Sequence, residues 1–260
     1  MADTNNRNLI RLDHSGLARR IYRIYALNRF KTLLAAKQDV AVNPTKWEDP
    51  FEDFFLERTE VTDAVSGSTI PLRNLAQDWY GQCWSLNEDT DAMWRIYSPD
   101  PLNQVGVKVR TTIQKLFDNL KATGSLAPYL QFFVGKVEYM SERRIRNLMG
   151  GLTFADVAIG GQGDRFADLL CIKRTAFRHE HEIRLLFQDV KFPGNPKRGA
   201  GGLFKYALDP SAVFEEVVLD PRLKDSDAAN LKAELVTAGC TLPIGRSGLY
   251  QSPHFVILPG

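Results

Sequence analysis

Short strand-like runs separated by amphipathic helical segments recur along this chain, and this interleaving constrains its fold more than any other feature. Residues 20–25 have the alternation and aromatic content of a strand, and residues 28–36 follow with apolar side chains at helical spacing. Near the other end, the β-rich runs 213–219 and 241–244 bracket an amphipathic segment at 226–238. The pattern predicts an α+β domain in which helices flank a central mixed or split antiparallel sheet.

The length of the chain sets the expected number of domains. At 260 residues it is near the largest size that one hydrophobic core supports, so we expect a single globular domain over residues 15–260. Residues 1–14 are polar, lack the apolar core of a signal peptide, and are expected to be disordered. No stretch approaches the roughly 20 apolar residues that span a bilayer. The sequence therefore predicts a cytoplasmic protein without a membrane partner.

Charge and cysteine usage narrow the function classes. The formal net charge of +2 is too small to imply nucleic-acid binding by bulk electrostatics, although a local basic patch could hold a polyanion. Cys83, Cys171 and Cys240 lack the paired spacing of a zinc or redox motif. We expect them to be buried, reduced thiols.

An acidic run near residue 180 is the most site-like feature. Residues 178–187 have the composition of a strand, and on a strand the side chains of Glu180, Glu182 and Arg184 project from one face. Two carboxylates beside a guanidinium can provide a fixed anion or a carboxyl group of raised pKa, which suits acid–base work or the stabilisation of a developing cation. The alternative interpretation is a solvated strand face with a surface ion pair.

Other catalytic patterns are weaker. His179 and His181 flank Glu180, but adjacent strand residues point to opposite faces, so we expect no resident metal. Ser85 precedes an acidic run without the Gly-x-Ser-x-Gly sequence of a hydrolase nucleophile. The aromatic candidates for stacking a nucleobase or a nicotinamide ring are Trp84, Trp94, Tyr97 and Trp47, although core packing is the alternative.

Several short motifs follow one order along the chain. They are Tyr22-Arg23-Ile24-Tyr25, Trp47-Glu48-Asp49-Pro50-Phe51-Glu52, Cys83-Trp84-Ser85, Asp91-Ala92-Met93-Trp94 with Tyr97, and Lys173 followed by Glu180, Glu182 and Arg184. Each motif alone is common, but the combination is specific. It resembles the bacterial family known as domain of unknown function 2971, over about residues 20 to 250.

More distantly, the layout is similar to that of ADP-ribosyltransferases. The shared features are an aromatic-Arg first strand, a middle strand that ends in a hydroxyl residue and a late Glu-x-Glu strand. This resemblance implies NAD as co-substrate, with Arg23 bound to its ribose or pyrophosphate and Ser85 ordering the neighbouring strand. Glu182 would stabilise the oxocarbenium-like ribose as nicotinamide leaves, and Glu180 would orient or deprotonate the acceptor.

The same resemblance implies further contacts and partners. Tyr25 or Trp94 would lie against nicotinamide, and Tyr97, Arg184 and Lys173 complete the expected cofactor-binding set. The acceptor would be a protein or a nucleic acid. Bacterial relatives of this layout often act as toxins in phage defence, which implies an antitoxin partner.

Two other functions remain open from the sequence. A metal-dependent nuclease could gather a divalent cation with Asp49, Glu52, Glu180 and Glu182. A non-catalytic module could bind a nucleotide-like ligand through Trp84, Trp94 and the glycine-rich loop of residues 191–202. Loss of activity on removal of NAD or of magnesium would separate these classes.

Overall fold

The computed structural model describes residues 7–47, 60–62, 65–71, 74, 76–126, 130–152, 163–189 and 200–253. The strands in these ranges are β1 (Leu9–Ile10), β2 (Arg20–Ala26), β3 (Gln38–Val42), β4 (Glu60–Thr62), β5 (Thr69–Pro71), β6 (Trp79–Ser85), β7 (Gly106–Thr112), β8 (Leu130–Lys136), β9 (Glu138–Met140), β10 (Ile172–Arg174), β11 (Glu182–Asp189), β12 (Leu203–Ala207), β13 (Glu216–Leu219) and β14 (Ile244–Arg246). The α-helices are α1 (Leu27–Ala36), α2 (Asp91–Tyr97), α3 (Ile113–Leu126), α4 (Glu142–Gly150), α5 (Asp164–Leu169), α6 (Pro210–Val213) and α7 (Asp225–Thr237).

Ten of the described strands form one mixed sheet. Its main path runs β1-β8-β11-β6-β2-β7-β13-β14, and β3 joins β6 while β12 joins β3. The pairs from β8 to β13 are antiparallel, whereas β1 pairs with β8 and β13 pairs with β14 in parallel. The predicted mixed sheet with flanking helices is confirmed.

The sheet divides beside β6. Along one edge, β6 pairs with β2 at Ser85, opposite Tyr22, and with β3 at Gly81, opposite Val42. Strand β2 continues the main path of the sheet, whereas β3 and β12 form a side branch. The edge of β6 between Gly81 and Ser85 therefore lies between the two branches, at a fork in the sheet. The sheet is therefore branched at β6.

The central strand β11 is buried along nearly its whole length because elements cover both faces of the sheet there. On one face, Ile183, Leu185 and Phe187 belong to the larger of the two apolar clusters in the described part of the chain. On the other face, Leu186 packs in a smaller cluster with Trp79. A charged side chain on this strand is consequently buried, and its burial is costly unless it has local partners.

Local sequence explains the start of α2, the helix that borders the acidic residues. Thr90 precedes the helix, and its hydroxyl oxygen accepts a hydrogen bond from the Met93 backbone N–H at 3.3 Å. The predicted strand at 20–25 and helix at 28–36 are confirmed as β2 and α1. None of the described helices combines the length and apolar composition needed to cross a bilayer.

The expected disorder of residues 1–14 is wrong from residue 7 onward. Leu9–Ile10 form β1, and the side-chain amide of Asn8 donates to the Phe132 carbonyl at 2.6 Å. Arg11 then pairs with Glu138 at 3.1 Å and with Asp168 at 2.9 Å. These partners are distant in sequence, so the polar composition of the segment gave no sign of them.

Two predicted strand boundaries are also wrong. Residues 175–180 form a 3-10 turn, so the strand expected at 178–187 begins only at Glu182. The β-rich run at 213–219 is divided between the end of α6 and the strand β13 because Asp209 and Pro210 start a short helix. The first of these changes the geometry of the acidic residues.

Candidate active site

The site is assembled where β6 ends and β11 begins. Ser85 lies opposite Glu182 in the β6–β11 pair, and Cys83 lies opposite Arg184. Directly paired residues in neighbouring strands share a face, so these four side chains project to the same side of the sheet.

Lys173, on β10, joins the two glutamates. Its Nζ donates to Glu182 Oε1 at 2.6 Å and to Glu180 Oε2 at 2.7 Å. Arg184 Nε donates to Glu182 Oε2 at 2.8 Å, and Arg184 Nη1 donates to the Leu170 carbonyl at 2.6 Å. Glu182 is 4% exposed and Arg184 1%. Each oxygen of the buried Glu182 carboxylate therefore has a cationic donor, which is what allows the charge to be buried.

Glu180 reaches the site from the 3-10 turn that precedes β11. Ser85 Oγ donates to the Glu180 carbonyl at 2.6 Å and accepts from the Asn87 N–H at 3.0 Å. The Asn87 side chain donates to the His179 carbonyl at 2.6 Å. Ser85 and Asn87 thus tie the end of β6 to the turn that presents Glu180.

The two carboxyl groups differ in protonation. Burial, the hydrogen bond to Glu182 and the charge on Glu182 raise the pKa of Glu180 to about 8, against the opposing effect of Lys173. Burial alone would raise the pKa of Glu182, but Arg184, the hydrogen bond from Glu180 and Lys173 outweigh it and lower that pKa well below its usual range. The raised pKa of Glu180 favours its protonated form at neutral pH, whereas the lowered pKa of Glu182 favours its ionised form.

Two tyrosines border the carboxyl pair. The hydroxyl oxygen of Tyr139 accepts from the Glu182 backbone N–H at 2.9 Å. Tyr97, at the end of α2, is 45% exposed. Burial of its hydroxyl, with Glu180 and Glu182 nearby, raises the pKa of Tyr97. Tyr97 is therefore a partly exposed aromatic residue within electrostatic reach of the carboxyl groups.

Two further aromatic rings lie against the cations. The Arg184 guanidinium lies 4.4 Å from the centroid of the Trp47 ring, and Lys173 Nζ lies 4.8 Å from that of Phe177. Trp47 can approach because position 81 is a glycine: a Cβ there would lie 2.4 Å from Cζ2 of the indole. These rings shield the ion pairs from water, which strengthens them.

Arg23 lies on the other side of the sheet. Tyr22 is aligned with Ser85, so its neighbour Arg23 points to the opposite face, where its guanidinium lies 4.9 Å from the Tyr25 ring centroid. Arg23 Nη1 is buried and, in the described part of the chain, has no hydrogen-bond partner. The structure therefore does not bring Arg23 to Glu182.

A buried polar network fills the fork beside Arg23. Asp39 Oδ2 accepts from the Tyr25 hydroxyl and from Gln82 Nε2, each at 2.7 Å. Gln82 Oε1 accepts from the Tyr206 hydroxyl at 3.0 Å. Burial would lower the pKa of Arg23, but Tyr25 and Asp39 outweigh it and the pKa is raised. Side-chain hydrogen bonds thus connect the two branches where backbone pairing stops.

Substitution of Asp39 by alanine should lower the free energy of unfolding by about 3 kcal/mol, because it strands buried donors and removes the negative charge beside Arg23. Chemical denaturation measures the change. Asp118→Ala is the matched control, since Asp118 is exposed and pairs with Lys121 at 3.8 Å; it should change stability by less than about 0.5 kcal/mol. Equal effects of the two substitutions would show that the network does not stabilise the fork.

Most of the aromatic residues that were predicted to contact a ligand are buried in the core. Trp94 is 1% exposed and its indole N–H donates to Asp89 at 2.6 Å, while Tyr25 is 5% exposed within the polar network. Trp84 is also buried in the core. Of the predicted rings, Tyr97 lies near the described carboxyl pair and Trp47 lies against Arg184.

The structure brings together Glu180, Glu182, Ser85, Arg184, Lys173 and Tyr97, and it places Arg23, Tyr25 and Trp94 away from them. Sequence reasoning missed Tyr139 and the shielding role of Trp47. Tyr139 occurs in no recognised motif, and its contact with Glu182 spans 43 residues. Trp47 does open a motif, but a motif does not identify Arg184 as its partner.

The residues proposed for a metal site are only partly described. Asp49 and Glu52 lie outside the described residues, as does the loop of residues 191–202 except for Ala200–Gly202. Among the residues that are described, no group of three or more His, Cys, Asp or Glu side chains could hold a metal ion. The cation that lies between Glu180 and Glu182 is the Lys173 amine.

Comparisons with known proteins give only distant similarities. No protein-family model matches the chain, and no curated protein matches it, so the resemblance to domain of unknown function 2971 stays a prediction. Among solved structures, the chain is similar to Thermus sp. 2.9 DarT in complexes with ADP-ribosylated ssDNA, NAD+ and carba-NAD+, with TM-scores of 0.40, 0.39 and 0.38. Each similarity has 12% identity and covers 88% of this chain and 94%, 96% and 95% of the respective DarT chains. Similarity this weak assigns neither function nor fold family.

Proposed function

We propose that this chain is an ADP-ribosyltransferase-like enzyme that uses NAD as co-substrate. The observation that carries the proposal is the carboxyl pair: a buried ionised Glu182 and a protonatable Glu180 share Lys173 beside the exposed ring of Tyr97. The order of Ser85 and the Glu-x-Glu sequence supports the same chemistry through the resemblance described above.

In the proposed reaction, the bond between C1′ of the ribose and the nicotinamide nitrogen breaks, and nicotinamide leaves with the electron pair as a neutral molecule. C1′ then carries oxocarbenium-like positive charge until an acceptor oxygen or nitrogen bonds to it. The acceptor loses one proton, so NAD+ and a protonated acceptor give the ADP-ribosylated acceptor, nicotinamide and H+.

The charge balance of the site determines which protonation state supports this step. Lys173 and Arg184 contribute two positive charges, and Glu182 contributes one negative charge. With Glu180 protonated, the four groups sum to +1, which opposes a developing cation; with Glu180 ionised, they sum to zero. Ionised Glu180 is also the form that can take the acceptor proton. Both effects require Glu180 to lose its proton.

Each remaining side chain has a role that follows from its position. Tyr97 is the exposed ring against which nicotinamide would stack. Lys173 and Arg184 are occupied by the carboxylates, so we assign them to holding the pair and not to the NAD phosphates. The proposed acceptor is a protein or a nucleic acid, in a cytoplasmic toxin or phage-defence effector with an antitoxin partner.

The rate of nicotinamide release should rise with pH through about 8, because Glu180 is roughly one-tenth ionised at pH 7 and nine-tenths ionised at pH 9. Chromatography of NAD reactions between pH 6 and 10 measures the profile. Glu180→Gln should lower the rate at pH 9 by about 100-fold and remove the rise, since an amide cannot ionise.

The matched control is Glu234→Gln, on the exposed face of α7, where the glutamate pairs with Lys31 at 2.6 Å. This variant should keep both the wild-type rate and the wild-type profile. A wild-type rate that falls above pH 8 would contradict the role of ionised Glu180. Absence of nicotinamide release at every pH would contradict the proposed function.

A further inference from the structure

The backbone turns sharply between the two glutamates. The 3-10 turn ends at Glu180, β11 begins at Glu182, and His181 between them is left-handed, with φ 46° and ψ 56°. Side chains with a Cβ disfavour this conformation. The His181 carbonyl accepts from the Leu86 N–H at 2.9 Å, which fixes the turn to the end of β6. The His181 side chain itself is exposed.

This turn changes how the carboxyl groups meet. On a regular strand, residues two apart share a face but are separated by about 6.6 Å along the strand. Here both carboxyl groups reach the same Lys173 amine, at 2.6 Å for Glu182 and 2.7 Å for Glu180. The carboxyl groups therefore meet at one amine although Glu180 lies outside the regular strand.

We propose that His181 is a positioning residue whose left-handed backbone sets the carboxyl group of Glu180 against that of Glu182. The effect of His181 on catalysis rests on the proposed function, whereas its effect on the positions of the two carboxyl groups does not. Because the imidazole is exposed, the backbone conformation carries the effect. Glycine at this position should preserve the arrangement, and a β-branched residue should disrupt it.

The protonation of Glu180 reports directly on this arrangement. The charged and titratable groups near the pair come from several elements. They are Lys173 on β10, Glu182 and Arg184 on β11, Tyr139 on β9, Tyr97 on α2 and Cys83 on β6. A substitution at His181 leaves all of these groups in the chain. A change in the Glu180 titration would therefore reflect a change in the position of its carboxyl group, through its burial and its distances from Glu182 and Lys173.

Carbon-13 NMR of protein labelled at the glutamate carboxyl carbons tests the proposal, with Glu180→Gln used to assign the Glu180 signal. Wild type and His181→Gly should titrate with the same midpoint, near pH 8. His181→Val should titrate with a midpoint lower by about one pH unit or more, because a displaced Glu180 carboxyl group would be less buried and less strongly coupled to Glu182. His181→Ala, which has the smallest Cβ-bearing side chain, should fall between them and serves if the valine variant does not fold.

A valine or alanine variant that titrates as wild type does would overturn the proposal, as would loss of the raised midpoint in His181→Gly. Nicotinamide release by the same variants separates this inference from the proposed function. We expect His181→Gly to stay within about threefold of wild type and His181→Val to fall by about tenfold or more at pH 9. If the titrations have the expected midpoints but wild type releases no nicotinamide, the proposed function is wrong and the positioning role of His181 is supported. If wild type is active but the titrations do not differ, the inference alone fails.

Discussion

Glu182→Gln should reduce NAD-dependent ADP-ribosyl transfer by at least about 100-fold. An amide carries no charge, so Lys173 and Arg184 would face the developing ribose cation with only Glu180 to offset them. Even with Glu180 ionised, the four groups would then sum to +1. Initial rates of nicotinamide release at pH 9, where wild-type Glu180 is ionised, measure the effect.

The folded state provides the control for this variant. Glutamine keeps the shape of the side chain, and Glu180, freed from the charge of Glu182, should ionise at lower pH and pair with Lys173. We therefore expect a folded protein, less stable by about 3 kcal/mol, whose circular dichroism matches that of wild type. A folded variant with full activity would show that Glu182 does not stabilise the transition state.

Arg184→Met should lower the free energy of unfolding by about 3–5 kcal/mol. The Glu182 carboxylate, 4% exposed, would lose one of its two cationic partners, and the Leu170 carbonyl would lose a donor at 2.6 Å. Methionine fills similar space, so most of the loss would come from the stranded charge and not from a cavity. Urea denaturation at pH 7 measures the difference.

Two comparisons identify the charge as the cause. The double variant Glu182→Gln with Arg184→Met should lose less stability than the sum of the single losses, because it removes both members of the pair. The loss in free energy of unfolding that Arg184→Met causes should also become smaller as the pH falls below about 4.5. In wild type, the pKa of Glu182 is lower in the folded state than in the unfolded state. This difference stabilises the fold at pH values above the unfolded-state pKa, and the contribution is lost as the pH falls and Glu182 is protonated. A loss below about 0.5 kcal/mol at pH 7 would contradict the account of a buried ion network.

The large elements were predictable because their signals are local. The alternation of residues 20–25 and the helical spacing of residues 28–36 depend only on neighbouring side chains, and both elements form. The convergence of Glu182 and Arg184 followed from the two-residue period of a strand. Glu180 joined them by a different route, since a 3-10 turn and a left-handed His181 present it. Residue spacing alone does not distinguish these geometries.

The remaining features depend on contacts between distant residues. Arg11 is ordered by partners more than 120 residues away, so residues 7–14 resembled a disordered segment. Arg23 occurs in a recognised motif, but the register of Tyr22 with Ser85 sends it to the face opposite Glu182. Trp94 is buried because Asp89 satisfies its indole N–H. Sheet register and hydrogen-bond partners are properties of the assembled fold.

The most direct test follows the two halves of NAD separately. Wild type and Glu182→Gln would be incubated at pH 9 with NAD labelled in its adenylate or in its nicotinamide, together with separated protein and nucleic-acid fractions of a cell lysate. The proposed function predicts that wild type releases nicotinamide and transfers an equal amount of adenylate label to one fraction, and that the variant does neither above about 1% of that level. Intact NAD and no label in either fraction after incubation with folded wild type would contradict it.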